Sequence, residues 1–264
     1  MSEFRFYLGI HHPHWLRTVP VPVFVSHAAL RKYKRAVPAR LPGGVWALDS
    51  GAFSEISEHG RWTTTPAQYA AAARRYVEQI GGVCGFAAPM DWMCEPFIVA
   101  KTGLSVAEHQ RRTVASIHEL RALAPEVPFA PVLQGWDLPS YLECAAMYAE
   151  SGIDLFSEPV VGLGSVCRRQ GADDIGRIVT ALADAGLENL HGFGVKLQGV
   201  AKYGSALASA DSMAWSTAGR RVPGCSQGRA VKNEANCLHY ALEYRAKVLD
   251  SLNPWQQTGL PVFA

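Results

Sequence analysis

At 264 residues, 48% hydrophobic and 18% charged, the chain is long enough for one large α/β domain or two small ones. A formal charge of +2 excludes an extended basic coat for nucleic acid but leaves room for a local patch. No apolar run reaches the roughly 20 residues of a membrane span, residues 1–5 lack the pattern of a signal peptide, and the six cysteines are scattered without a CxxC pair, so a cytoplasmic chain with reduced thiols is the expectation.

Short β-like runs alternate with helical stretches. The first run is 6–9; residues 10–20, with His11, His12, His14 and two prolines, read as loop. The histidines lack an acidic partner nearby, so a hydrogen-bonded loop is favoured over a metal site, with His14 placed to line a pocket. A second run, 22–26, precedes Arg31, Lys32, Lys34, Arg35 and Arg40, either a solvated face or a phosphate-contacting surface. The third run, 45–49, is apolar until it ends on Asp49-Ser50-Gly51. Thr65-Pro66-Ala67-Gln68 is a capping box with proline at the first helical position, and Tyr69, Ala73, Tyr76 and Ile80 follow at helical spacing.

The fourth run, 84–88, leads to Met90-Asp91-Trp92. Ser105 to Glu108 forms a second capping box, opening a helix to about Leu123. Run 129–133 ends on Gln134-Gly135-Trp136, and Asp137 with Pro139 starts a helix that Gly152 stops. Run 153–159 passes Glu158-Pro159 into a Gly162-Leu163-Gly164-Ser165 turn; a helix over 172–185 ends at Gly186. Run 191–196 opens on His191, which this reading sets on the stability face, and ends on Lys196, within reach of a phosphate or Glu158. Run 209–213 carries Asp211-Ser212, and a last helix spans 231–252.

Eight strands alternating with helices in this length match a (β/α)8 TIM barrel with irregular first units and a C-terminal helical segment. No linker divides 1–264, and 215–264 reads as a helical extension. A doubly wound sheet is the runner-up, but no Gly-rich dinucleotide loop follows the first strand. In a barrel the C-terminal strand ends form the working rim. Asp49 and Asp211 come from distant strands and could face each other. Two such carboxylates suit a retaining displacement at a sugar carbon, one attacking and the other moving protons. Asp91 beside Gln134 suits the donor and acceptor edge of a heterocycle. Phe53, Met90, Trp92 and Trp136 could stack on a flat base. The Gly162-Leu163-Gly164 turn could bring backbone N–H groups against a carbonyl oxygen.

These segments resemble tRNA-guanine transglycosylases. Leu48-Asp49-Ser50-Gly51-Ala52-Phe53 resembles that family's Asp-Ser-Gly-Gly-Phe motif, with Ala52 where the second glycine usually stands. Met90-Asp91, Val132-Leu133-Gln134-Gly135, Gly162-Leu163-Gly164, Ala210-Asp211-Ser212 and Arg220-Arg221 resemble further motifs in the same order. The closer likeness, over nearly the whole chain, is to the compact deazapurine DNA-modification (DpdA) family of phages and bacteria. It includes Phe6-Tyr7-Leu8-Gly9, His59-Gly60-Arg61-Trp62-Thr63 and Asp91-Trp92-Met93-Cys94-Glu95-Pro96-Phe97.

The resemblance implies exchange of guanine in DNA for a 7-deazaguanine, typically the 7-cyano form, through a glycosyl-aspartate. Asp211 would be the nucleophile and Asp49 the proton carrier. Asp91, Gln134, Gly162, Gly164, Ser50, Phe53, Trp92, Trp136 and Lys196 would bind substrate. Arg168, Arg169, Arg220 and Arg221 would contact the nucleic-acid backbone. A tRNA or nucleoside substrate, or a barrel that binds without turnover, are the alternatives. The family's structural zinc cluster is matched by Gly224-Cys225-Ser226-Gln227 and Asn233-Glu234-Ala235-Asn236-Cys237-Leu238-His239. Gln227 replaces a histidine and Glu234 a cysteine. Cys225, Glu234, Cys237 and His239 could form a metal set, but Cys237 and His239 are two apart on an expected helix and point to different faces. The reading therefore favours a lost zinc site and a chemistry that needs no cofactor.

Overall fold

The computed structural model describes residues 4–167, 169, 173–225 and 231–252. Eight strands carry the fold: β1 Arg5–Ile10, β2 Val23–Ser26, β3 Val45–Asp49, β4 Val83–Ala87, β5 Val132–Leu133, β6 Val161–Leu163, β7 Leu190–Gly192 and β8 Ser209–Ser212. All are parallel in the order β4-β3-β2-β1-β8-β7-β6-β5. They curl into a near-barrel, and the ends meet through a parallel bridge between Ala87 and Phe129. The arrangement is TIM-barrel-like.

Strand alternation explains what lies inside. Phe6, Leu8 and Ile10 of β1, Val23 and Val25 of β2, and Trp46 and Leu48 of β3 face the helices in the main core. Their neighbours Tyr7, Phe24, Ala47 and Phe86 form a separate cluster in the barrel interior. The inward series thus continues upward to Asp49 on β3 and Asp211 on β8.

The helices are α1 His27–Leu30, α2 Ala52–His59, α3 Pro66–Ile80, α4 Pro96–Thr102, α5 Val106–Leu123, α6 Leu138–Glu150, α7 Asp173–Asp184, α8 Leu197–Tyr203, α9 Ala214–Gly219 and α10 Leu238–Asp250. Thr65 and Gln68 complete the capping box of α3. At α5 only half a box forms, because the Glu108 side chain turns to Arg111 and Arg112. The first two units are irregular, as expected: a 3-10 turn at Pro13–Arg17 follows β1, and α1 has only four residues.

Several segments depart from the sequence reading. Run 153–159 is not a strand, because Asp154 caps a turn through the Phe156 N–H; the strand forms later, at Val161–Leu163, and includes Gly162. The last helix starts at Leu238 rather than 231, after a 3-10 turn at Glu234–Asn236 that Asn233 caps. Arg40 is buried, its guanidinium donating to the carbonyls of Leu16, Val19 and Val21, so it buttresses the irregular loop instead of meeting phosphate. No helix among the described residues is long and apolar enough to cross a membrane.

Candidate active site

A cavity of about 320 Å³ opens at the C-terminal ends of the strands. Asp49, Asp91, Glu95 and Asp211 all reach its wall. Asp49 closes β3, and its Oδ1 accepts the Gly51 N–H at 3.1 Å. That turn needs Gly51 at φ +82°, a region costly for other residues. Ala52 then starts α2 in ordinary helical geometry, and its methyl group joins the cavity wall. The second glycine of the family motif is therefore dispensable here.

Gln134 leaves β5 and links Asp91 to Ser165. Its Nε2 donates to Asp91 Oδ2 at 2.6 Å, and its Oε1 lies 2.7 Å from Ser165 Oγ. The same Ser165 hydroxyl lies 2.9 Å from Glu95 Oε2 and accepts the Cys94 N–H. Ser50 Oγ reaches Asp91 Oδ1 at 3.5 Å. Burial, then the neighbouring charge of Asp49, lifts the Asp91 carboxyl to about 7. Burial likewise lifts Asp49 to about 6, against the Gly51 hydrogen bond, with Asp211 adding to the rise.

Asp211 sits on the opposite wall, where its Oδ1 accepts the Gly194 N–H at 2.9 Å. Gly194 adopts φ +64°, and a Cβ there would lie 2.8 Å from Cys167 Cβ. Gly164 is constrained for another reason: a Cβ would lie 2.2 Å from Gln134 Nε2. It makes room for the amide. It does not offer its N–H to a ligand, because the Gly162 and Gly164 N–H groups donate to Pro131 and Leu133 in the sheet ladder.

Several expected contacts fall elsewhere. Phe53 lines the cavity, but Trp92, one residue beyond Asp91, faces the other way, its ring under the Arg112 guanidinium. Trp136 is covered by Arg169, which also binds the Trp136 carbonyl and Asp174. Arg169 is thus held in an internal cluster. Met90 packs in the main core, and Met93 takes the wall position. Lys196 is exposed at the start of α8, while Glu158 pairs with Arg121 at 2.7 Å. His11, rather than His14, reaches the cavity; His11 and His12 both direct Nε2 at Asn236 Oδ1. Arg220 and Arg221 are exposed, Arg220 close enough to act on His11 electrostatically. Arg168 and Gln227 lie outside the described residues.

His191 requires the largest correction. Its strand begins at Leu190, and the imidazole points into the barrel with its Nε2 3.4 Å from Asp211 Oδ1. An apolar run opening on histidine suggested the far end of the barrel. With β7 only three residues long, its second residue already lies just below the rim. Sequence reasoning gave no role to Glu95 and Ser165, although both lie in segments it singled out; the structure sets both on the cavity wall, with Ser165 joined to Gln134 and to Glu95.

Near the C-terminus, single ligand atoms of Cys225, Glu234 and Cys237 lie within 4.8 Å of one another. His239 is not among them; it reaches Glu243 instead, at 3.5 Å. Burial, then hydrogen bonding with Glu234, raises the Cys237 thiol to about 11. Two thiols and a carboxylate fit three positions of a tetrahedral zinc site.

A parallel barrel with its acids gathered at the strand ends defines the class: a TIM-barrel-like protein with a strand-end site. The chain belongs to the DpdA family, DeoxyPurine in DNA protein A, whose profile matches residues 1–263. Membership implies insertion of a deazapurine into DNA, and therefore a DNA substrate. No curated protein gives a significant match.

Proposed function

We propose that the chain is a DNA transglycosylase that exchanges guanine for a 7-deazaguanine derivative, 7-cyano-7-deazaguanine being the expected one. The observation that carries this reading is one cavity bounded by Asp49 and Asp211 and by the Asp91–Gln134 pair. An Asp211 carboxylate oxygen bonds to C1′ as the C1′–N9 bond breaks. Guanine departs with the bonding electrons and a proton from Asp49. The raised carboxyl of Asp49 keeps a proton available close to neutral pH. The deazaguanine then enters, gives its N9 proton to Asp49 and bonds to C1′, and Asp211 leaves. The proton lost to the first base is regained from the second.

Asp91 and Gln134 hold each base in turn. The ring N–H and amino group of a guanine-type base donate to Asp91, so binding favours its ionised form. Phe53, on α2, offers an apolar wall. A base within duplex DNA is flipped out to reach the cavity. Arg220 and Arg221 are the exposed cations of this reading that contact the DNA backbone. Cys225, Glu234 and Cys237 would hold a structural zinc, which would tie the segment after α9 to the start of α10 and take no part in the exchange.

The test is mass spectrometry of DNA, tRNA and free nucleosides incubated with labelled guanine or 7-deazaguanine bases. Incorporation into DNA, abolished by Asp211→Ala, is expected. Incorporation into tRNA alone, or into no substrate, refutes the proposal.

A further inference from the structure

We propose that His191 is a positioning residue for Asp211, donating a hydrogen bond from Nε2 to Oδ1 and leaving Oδ2 as the oxygen that attacks C1′. The inference rests on the base-exchange reading for its role, and on geometry for the pairing itself.

The imidazole is fully buried. Phe86, Phe193, Tyr7 and Phe24 surround it, with ring centroids 4.6–5.8 Å away. This box leaves the ring two polar outlets. Nδ1 lies 2.9 Å from Ser209 Oγ. Nε2 has no hydrogen bond among the described residues and stands 3.4 Å from Asp211 Oδ1. A buried ring nitrogen without a partner is costly, and a small rotation of the carboxylate supplies one.

The strand pattern fixes this approach. Ser209 and Asp211 are two apart on β8, so both face inward. His191 pairs in register with Ser209, one step below Asp211. Ser209 therefore decides which proton His191 carries. If its hydroxyl donates to Nδ1, the neutral ring carries its proton on Nε2, facing Asp211. A doubly protonated ring donates at the same place. Only the Nδ1–H tautomer would turn a lone pair on the carboxylate.

Two donors then converge on one oxygen, the Gly194 N–H and the His191 Nε2–H. With Oδ1 held, Oδ2 forms the bond to C1′ as guanine leaves with the electron pair and the Asp49 proton. The same donors steady the carboxylate when it is expelled in the second half of the cycle. Among the described residues the cavity wall carries four carboxyl groups and no lysine or arginine, so this donor is well placed to balance negative charge.

The experiment combines two readouts on the full chain. The first is the rate of covalent enzyme–DNA adduct formation, followed on denaturing gels, with guanine affinity measured in parallel. His191→Leu fills the space without a donor; His191→Gln restores an N–H at nearly the same reach. The expected result is a slowing of about 10- to 100-fold in His191→Leu, the usual worth of one hydrogen bond to a charged group. Guanine affinity stays within about threefold, and His191→Gln recovers most of the rate. Equal adduct rates in all three proteins, or equal loss in both variants, overturns the proposal. The second readout is the side-chain nitrogen resonances of His191, expected to show a protonated Nε2 that shifts in Asp211→Ala. A protonated Nδ1 with a bare Nε2 overturns it. A wild-type chain that forms no adduct refutes base exchange, and the nitrogen resonances then decide the pairing alone.

Discussion

Asp91→Asn isolates the electrostatic cost of the Asp91–Gln134 pair. Asp91 is buried, and its carboxyl is raised from 3.8 to about 7, mainly by loss of water and next by Asp49. At about 1.4 kcal/mol per pH unit, ionising it inside the fold costs roughly 4 kcal/mol more than in the unfolded chain. The folded state holds this proton more tightly. Its contribution to stability is therefore intact below about pH 4 and lost as pH rises toward 7. Asparagine keeps the shape, can still accept from Gln134, and carries no charge. Urea unfolding of both proteins should show the variant gaining on wild type by roughly 3 kcal/mol between pH 5 and 8. A constant difference across that range would refute the reasoning, because Asp91 would then not titrate as a buried acid. The same acid links pH to binding. Wild-type affinity for guanine should rise from pH 5 to 7 as the carboxylate becomes available, and the variant should lack that slope.

Other substitutions probe separate parts of the site. Gly164→Ala places a methyl group on Gln134 and should break its 2.6 Å bond to Asp91. A loss of about 1–3 kcal/mol in stability and of guanine binding by calorimetry is expected; unchanged affinity would count against Gln134 as a base contact. Elemental analysis of the purified protein should find about one zinc per chain, lost in Cys237→Ser, with a lower Tm after chelation. A metal-free chain with an unaltered Tm would leave the cysteines as packing. Arg220→Ala and Arg221→Ala should each lower the salt dependence of DNA binding by about one unit in log–log slope, without altering guanine affinity.

The barrel was legible because its signals are local. Capping residues at Thr65 and Asp137 and glycine stops at Gly152 and Gly186 set helix limits that the structure keeps within a residue or two. Asp49, Asp91 and Gln134 stood out because each follows an apolar run, and Asp211 because its Ala210-Asp211-Ser212 segment resembles the family's; all four line one cavity. The misses share a cause. Which way a side chain faces depends on strand parity, and a shift in strand start changes the answer. Moving the sixth strand from 153–159 to Val161–Leu163 turned Gly162 from a turn residue into a ladder residue. The short β7 brought His191 up beneath Asp211. Trp92 and Trp136 looked suitable for stacking by type, yet each faces an arginine that fills its ring face. Nothing in the spacing of Glu95 or Ser165 announces a network that forms only when two strand-end loops meet.

The barrel's seam gives the site a mechanical property. Among the described residues, β4 and the segment entering β5 are joined through Ala87, whose N–H donates to Pro128 and whose carbonyl accepts from Ala130, rather than through a full ladder. Asp91 leaves the barrel on one side of that seam and Gln134 on the other. Asp91 and Gln134, the proposed base contacts, therefore stand on opposite lips of a junction made by an isolated bridge. A base held by both would act as a stitch across it, added to the two Ala87 backbone bonds and the Gln134–Asp91 bond. The proposed exchange of one flat ring for another would thus take place beside the barrel's seam, while Asp211 sits on β8, a strand paired along both edges.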